Sequence, residues 1–179
     1  MKDGHAEAGS ARPRAIACAI AAFVFAAWWA TTASRSEAAT RSATFNVTAQ
    51  VVSDCSIVSA PNLNFGTIGV QNVAYYGTST LVVSCTPGTA YTVGLDAGSV
   101  SGSTVNTRYL TGPGGTMSFS LYRDAGYAQV WGNTPGTDTA GGTGTGSNQS
   151  YTIYGRIYAM QTTRAPGSYT STITATITY

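Results

Sequence analysis

YTSTITATITY, residues 169–179, alternates Ile173, Ala175, Ile177 and Tyr179 with Thr172, Thr174, Thr176 and Thr178. A strict period of two puts the large side chains on one face and the hydroxyls on the other, as in a half-buried strand. The same rhythm recurs in TFNVTAQVV, residues 44–52, where Phe45, Val47, Ala49 and Val51 alternate with Thr44, Asn46, Thr48 and Gln50. It appears again in MSFSLYR, residues 117–123. No apolar period of 3.6 residues outlasts two turns beyond residue 38, so no substantial helix is expected there and the chain reads as all-β.

Turn chemistry divides these segments. LVVSC, residues 81–85, and YTVGL, residues 91–95, flank Thr86-Pro87-Gly88-Thr89, whose Pro-Gly suits the centre of a type II turn, and a hairpin is predicted there. Asp124-Ala125-Gly126 predicts a second hairpin between residues 117–123 and AQVWG, residues 128–132. Residues 133–150, NTPGTDTAGGTGTGSNQS, hold nothing apolar larger than Ala and are predicted to be an exposed, mobile loop. YTIYGRIYAM, residues 151–160, reads as a long strand with Gly155 marking a bulge or bend. Pro166-Gly167 then turns the chain into its last strand. About seven short strands separated by turns suit a β-sandwich.

The N-terminus carries Lys2, Arg12 and Arg14, then the apolar run AIACAIAAFVFAAWWA at residues 15–30, then small and polar residues. That is the layout of a secretory signal peptide, and the run is short for a membrane span. Ser36 with Ala38 best meets the small-residue rule for cleavage, which gives a signal over residues 1–38; Ala33 and Ala39 compete. The exported remainder is expected to lie off the membrane.

Cleavage would remove His5, Lys2, Glu7 and Glu37, the whole chain's supply of those three residue types. What remains has five Arg (41, 108, 123, 156, 164) and four Asp (54, 96, 124, 138), a net charge of +1, with the Arg scattered along the chain. That balance gives nucleic acid nothing to hold. Without His or Lys there is no base to activate a Ser or Cys nucleophile, and two Cys cannot form a zinc site. The four Asp stand beside turn residues, where Asp is first a turn former. No catalytic residue, metal site or cofactor is expected, and the chain is read as a binding or building protein rather than an enzyme.

Cys55 and Cys85 are the only thiols left after cleavage, and in an oxidising compartment a disulfide between them is the economical reading, with two free buried thiols as the alternative. Chain-entropy arithmetic for such a loop gives about 3.6 kcal/mol.

Taken together, the strand leading to Cys55, NFGTIG (64–69), VSCTPGTAYTVGLDAG (83–98), LYRD (121–124) with WG (131–132), and residues 154–179 resemble the spore coat protein U domain family, which includes the subunits of archaic chaperone-usher pili of the Csu type. The resemblance spans essentially all of the exported chain, although Ser171 stands where the family pattern leads one to expect Asp. It implies an immunoglobulin-like sandwich lacking its final strand, with an open apolar groove filled by strand addition. On that reading residues 39–52 form a donor segment and residues 53–179 the domain. Phe45, Val47, Ala49 and Val51 become the donor plugs, while Ile173, Ala175, Ile177 and Tyr179 become one wall of the groove and the chaperone contact.

The implied partners are identical or related pilin subunits, a periplasmic chaperone and an outer-membrane usher. The implied destination is a cell-surface fimbrium reached through the periplasm, supporting adhesion and biofilm formation. Three alternatives stand beside this. Residues 44–52 could be the first strand of a self-contained sandwich. The protein could be a spore or outer-coat component using the same domain. The 11 Tyr and Trp131 could instead mark a carbohydrate-binding surface module.

Overall fold

The computed structural model describes residues 37–179, so the apolar run and nearly all of the predicted signal lie outside the described residues. The chain falls into two units that meet between Asn46 and Val47. In the first, residues 37–46 have no regular structure and are exposed.

The second unit carries eight strands: β1 (Cys55–Ser59), β2 (Tyr75–Cys85), β3 (Ala90–Leu95), β4 (Arg108–Gly112), β5 (Gly115–Tyr122), β6 (Ala140–Thr143), β7 (Asn148–Ile157) and β8 (Ala175–Thr178). They form a five-stranded sheet in the order β1-β2-β7-β5-β4 and a three-stranded sheet in the order β6-β3-β8, with every pairing antiparallel. The described residues contain no helix, as the period-two reading expects.

Alternation builds the core. Leu81, Val83 and Cys85 of β2 point inward with Met117, Phe119 and Leu121 of β5 and Ile157 of β7, and Tyr91, Val93 and Leu95 of β3 face them from the other sheet. Two sheets each bury one face against the other, the two-layer solution for strands with a single apolar face. Trp131 is closed into this core, donating from Nε1 to the Val93 carbonyl at 2.8 Å, so it is no binding platform.

Four local expectations are corrected. Residues 81–85 and 91–95 do not form a hairpin: β2 and β3 belong to different sheets, and the Pro87-Gly88 turn carries the chain across. The turn's own chemistry is as predicted, with Gly88 at φ 83° and Thr89 N bonded to Thr86 O at 3.1 Å. Neighbouring main chain, however, takes the groups a hairpin would use: Gly144 pairs with Gly88 and Thr89, and Asp54 with Thr86. The second predicted hairpin is reduced to one bridge, Tyr122 to Val130, because the chain then turns Trp131 inward.

Residues 133–150 are not simply a loop. They contain β6 and the start of β7, since Gly141 lies so close to Tyr91 O that any Cβ there would stand 2.9 Å away. Small residues here serve close approach. Nor does Gly155 make a bulge; it keeps regular register opposite Gly77 on one side and Leu121 on the other.

Candidate functional site: an open groove and an unpaired segment

An open cavity of about 1190 Å³ runs along one side of the sandwich. Its two walls are irregular: residues 60–71 on one side, residues 162–175 on the other. Its floor is the core itself: Leu81, Leu95, Met117, Phe119 and Ile157 lie beneath it, each buried, while Leu63, Phe65, Ile68, Ile173 and Ala175 are half-buried along its walls. Between the two irregular walls no strand covers this side of the core, and the half-buried apolar side chains there have room for one.

The first wall is held by glycine. Leu63 and Phe65 lean onto the larger sheet where Gly77 and Gly155 face each other across β2 and β7. A Cβ on Gly155 would stand 2.8 Å from Phe65 Cζ and 3.0 Å from both Leu63 methyl carbons, so only a bare backbone admits this segment. Phe65 then meets Phe119 edge to face at 6.3 Å. Ser79 Oγ donates to Pro61 O at 2.7 Å and fixes the start of the wall.

The second wall includes part of the predicted groove strand. Ile173 and Ala175 line the cavity, and Ile177 is half-buried against the same core. Tyr179 is 57% exposed, and its hydroxyl donates to Asp54 Oδ1 at 3.1 Å. Of the predicted last strand, residues 175–178 pair with β3 as β8, which is the edge of its sheet. Upstream, the chain leaves β3 and anchors to the other sheet, Thr170 exchanging main-chain bonds with Thr111.

Residues 44–52 form no strand. Phe45 is 86% exposed and Val47 and Val51 are each 84% exposed, with Ala49 also exposed. The period-two segment therefore presents its apolar face to solvent. Immediately after it, Asp54 is tied down: its carbonyl accepts from Thr86 N at 2.9 Å and its own N donates to Thr86 Oγ1 at 3.0 Å. Cys55 is joined to Cys85, its direct register partner across β1 and β2.

A buried cation lies away from the groove's walls. Arg108 is fully buried and donates to four main-chain carbonyls: Asp96 at 2.8 Å, Val105 at 2.7 Å, Leu95 at 3.0 Å and Trp131 at 2.7 Å. Burial pulls its pKa down to about 10, against the opposing field of Asp96 and Asp138. In the sequence it is one of several scattered Arg; only the fold, which brings the first residue of β4 against the Leu95, Asp96, Val105 and Trp131 carbonyls, gives it this role.

The Asp residues behave as turn formers. Asp124 accepts from the main-chain N of Gln129 at 2.7 Å and of Ala128 at 3.2 Å, bonds that hold its carboxyl below the ordinary value. Asp138 accepts from Thr134 N at 2.7 Å, and Asp96 from Gly98 N at 3.0 Å and Thr174 N at 2.9 Å. Among the described residues no group of three or more His, Cys, Asp or Glu is placed to hold a metal ion.

Residues 41–176 match the family described as Spore Coat Protein U domain. The chain is 36% identical to Protein U of Myxococcus xanthus over 161 residues, covering 82% of this chain and 89% of that one. Its fold is similar to a chain in the crystal structure of the CsuC–CsuE chaperone-tip adhesion subunit pre-assembly complex from archaic chaperone-usher Csu pili of Acinetobacter baumannii, with TM-score 0.53 and 21% identity. That likeness covers 72% of this chain and 40% of the other, and shows the fold, an immunoglobulin-like sandwich.

Proposed function

Because the chain belongs to the Spore Coat Protein U domain family, we propose that it is a structural subunit that polymerises by donor-strand exchange, residues 39–52 of one copy completing the sandwich of residues 53–179 of the next. In this reading residues 1–38 are the export signal. Phe45, Val47, Ala49 and Val51 enter the groove beside Ile173, Ala175 and Ile177, and the strand pairs with the free edge of β8. The observation that carries it is the coexistence of an open apolar groove with an exposed period-two apolar segment that forms no strand of its own.

Energetics fit a durable joint. Burying Phe45, Val47 and Val51 at about 1.5–3 kcal/mol each gives about 5–9 kcal/mol, and ladder hydrogen bonds to an edge strand add to it. Ordering the segment opposes this at about 1–2 kcal/mol per residue, so a prefolded groove is needed for the exchange to succeed. Strand addition also covers an edge that would otherwise invite uncontrolled pairing.

The surface fimbrium is the assembly proposed, built with a periplasmic chaperone and an outer-membrane usher and supporting attachment and biofilm. The subunit carries no chemistry of its own. The sequence match to Protein U covers most of that protein's length and favours a second reading, a coat component using the same strand exchange. Surface immunolabelling of growing cells separates the two: fibres on the cell surface support the fimbrium, and label confined to a spore or outer coat supports the second.

The joint itself is tested on denaturing gels without heating. The processed protein is expected to run as a ladder that collapses to monomer on heating, and Phe45→Asp to abolish the ladder, since a carboxylate cannot enter an apolar groove unpaired. A monomer band alone before heating, or a ladder that survives Phe45→Asp, refutes the exchange.

A further inference from the structure

On the outer face of the larger sheet, away from the groove, three tyrosines meet at a fourth. Tyr127 has its ring centroid 4.7 Å from Tyr76, 5.5 Å from Tyr122 and 6.2 Å from Tyr154. The last two stand edge-on, at interplanar angles of 83° and 81°, and are ordinary aromatic packing. Tyr76 is different: its ring is tilted 51° to that of Tyr127 at the shortest of the three separations, near the lower limit for aromatic pairs.

We infer that Tyr76 and Tyr127 form an oxidative cross-linking site, a pair placed to become an intrachain dityrosine. Access and pre-organisation both favour it. Tyr76 is 54% exposed and open to an external oxidant, whereas Tyr127 is half-buried beneath it. Tyr127 also has φ 55°, a conformation that a bulky residue rarely adopts. It is held there by the Asp124 turn: Tyr127 N donates to Asp124 O at 3.2 Å, and the Asp124 carboxylate accepts from the two following main-chain N–H groups. The ring position is therefore imposed by the turn rather than sampled.

The co-reactant is a peroxide used by a one-electron peroxidase. Each phenol gives up one hydrogen atom, the two phenoxyl radicals join through a carbon–carbon bond between ring positions ortho to the oxygens, and the rings regain aromaticity by moving the displaced protons to oxygen. Two hydrogens leave the protein and one peroxide is reduced to two waters. The product ties the 124–127 turn to β2, an attachment that no thiol supplies, since both exported Cys are already paired.

The processed protein treated with a plant peroxidase and hydrogen peroxide is expected to lose two hydrogens by intact mass, gain dityrosine fluorescence, and show no new band on a reducing gel. Peptide mapping should join the Tyr76 and Tyr127 peptides. Tyr76→Phe and Tyr127→Phe, which keep both rings, should each drop the fluorescence to background, while Tyr154→Phe should leave it intact. A cross-link that maps to other tyrosines, forms only between chains, or survives either of the first two substitutions overturns the inference, as does the absence of any product. Neither residue lines the groove, so the result is independent of strand exchange.

Discussion

Gly77 and Gly155 lie directly opposite each other in the β2–β7 ladder, and the Leu63 and Phe65 side chains occupy the space their missing Cβ atoms leave. A paired absence of side chains in mid-sheet costs strand stability, and here it sets the depth to which one wall of the groove can descend.

Gly155→Val is expected to push Phe65 and Leu63 off the sheet, destabilising the domain by about 1–3 kcal/mol as overpacking does. Denaturant melts should show the loss. The Phe65 ring should also become more accessible to solvent, and Gly155→Val combined with Phe65→Ala should recover part of the stability.

Replacing Arg108 by Met keeps much of its volume but strips four carbonyls, two of them buried, of their donor, and a loss of about 3–5 kcal/mol is expected. Arg108→Lys should recover little, because an ammonium has three donors and no planar fork to span carbonyls from three chain segments. Equilibrium unfolding of the two variants measures the difference.

Alkaline pH tests the buried phenols. Burial and the hydrogen bond shared with Tyr91 push the Tyr151 pKa up, and burial with the Tyr158 contact pushes Tyr122 up to about 12. Their folded-state values exceed the unfolded value of 10.0, so this stability is fully present below that pH and is lost as pH rises through the folded values. Arg108 works in the opposite sense, since the unfolded chain keeps that proton longer. Tyr151→Phe is expected to flatten the fall in stability above about pH 10. An unchanged slope in urea titrations would count against burial as the cause.

Reducing the Cys55–Cys85 bridge, or replacing both residues by Ser, is expected to cost about 3–4 kcal/mol. The loss should concentrate in β1, an edge strand with one neighbour, and hydrogen exchange at residues 55–59 should rise well before that of β7.

The sequence was most legible where one face of a strand is apolar and the other hydroxylated. Alternation located the strands of residues 81–85, 117–121 and 151–157 and the paired end of residues 169–179, whereas residues 44–52, equally regular in sequence, form no strand. It could not tell which strands pair, because Pro87-Gly88 makes the same tight turn whether the chain returns to its own sheet or crosses to the other. Strand β6 escaped because AGGT buries almost nothing and forms through main-chain bonds and the close approach of Gly141 to β3. The wall of residues 60–71 was equally hidden: Leu63, Phe65 and Ile68 are spaced unevenly, and the sign of their docking site is a pair of glycines 78 positions apart in the chain, visible only once β2 and β7 are aligned.

The covalent tie at Cys55 has a mechanical consequence. Tension applied to the leader of residues 39–52 reaches Asp54 first, and one residue later it is handed through sulfur to Cys85 at the end of an 11-residue strand zipped to β7 along most of its length. The pull bypasses the short outer strand, which alone could be peeled away one hydrogen bond at a time, and is shared as shear across the longest ladder among the described residues.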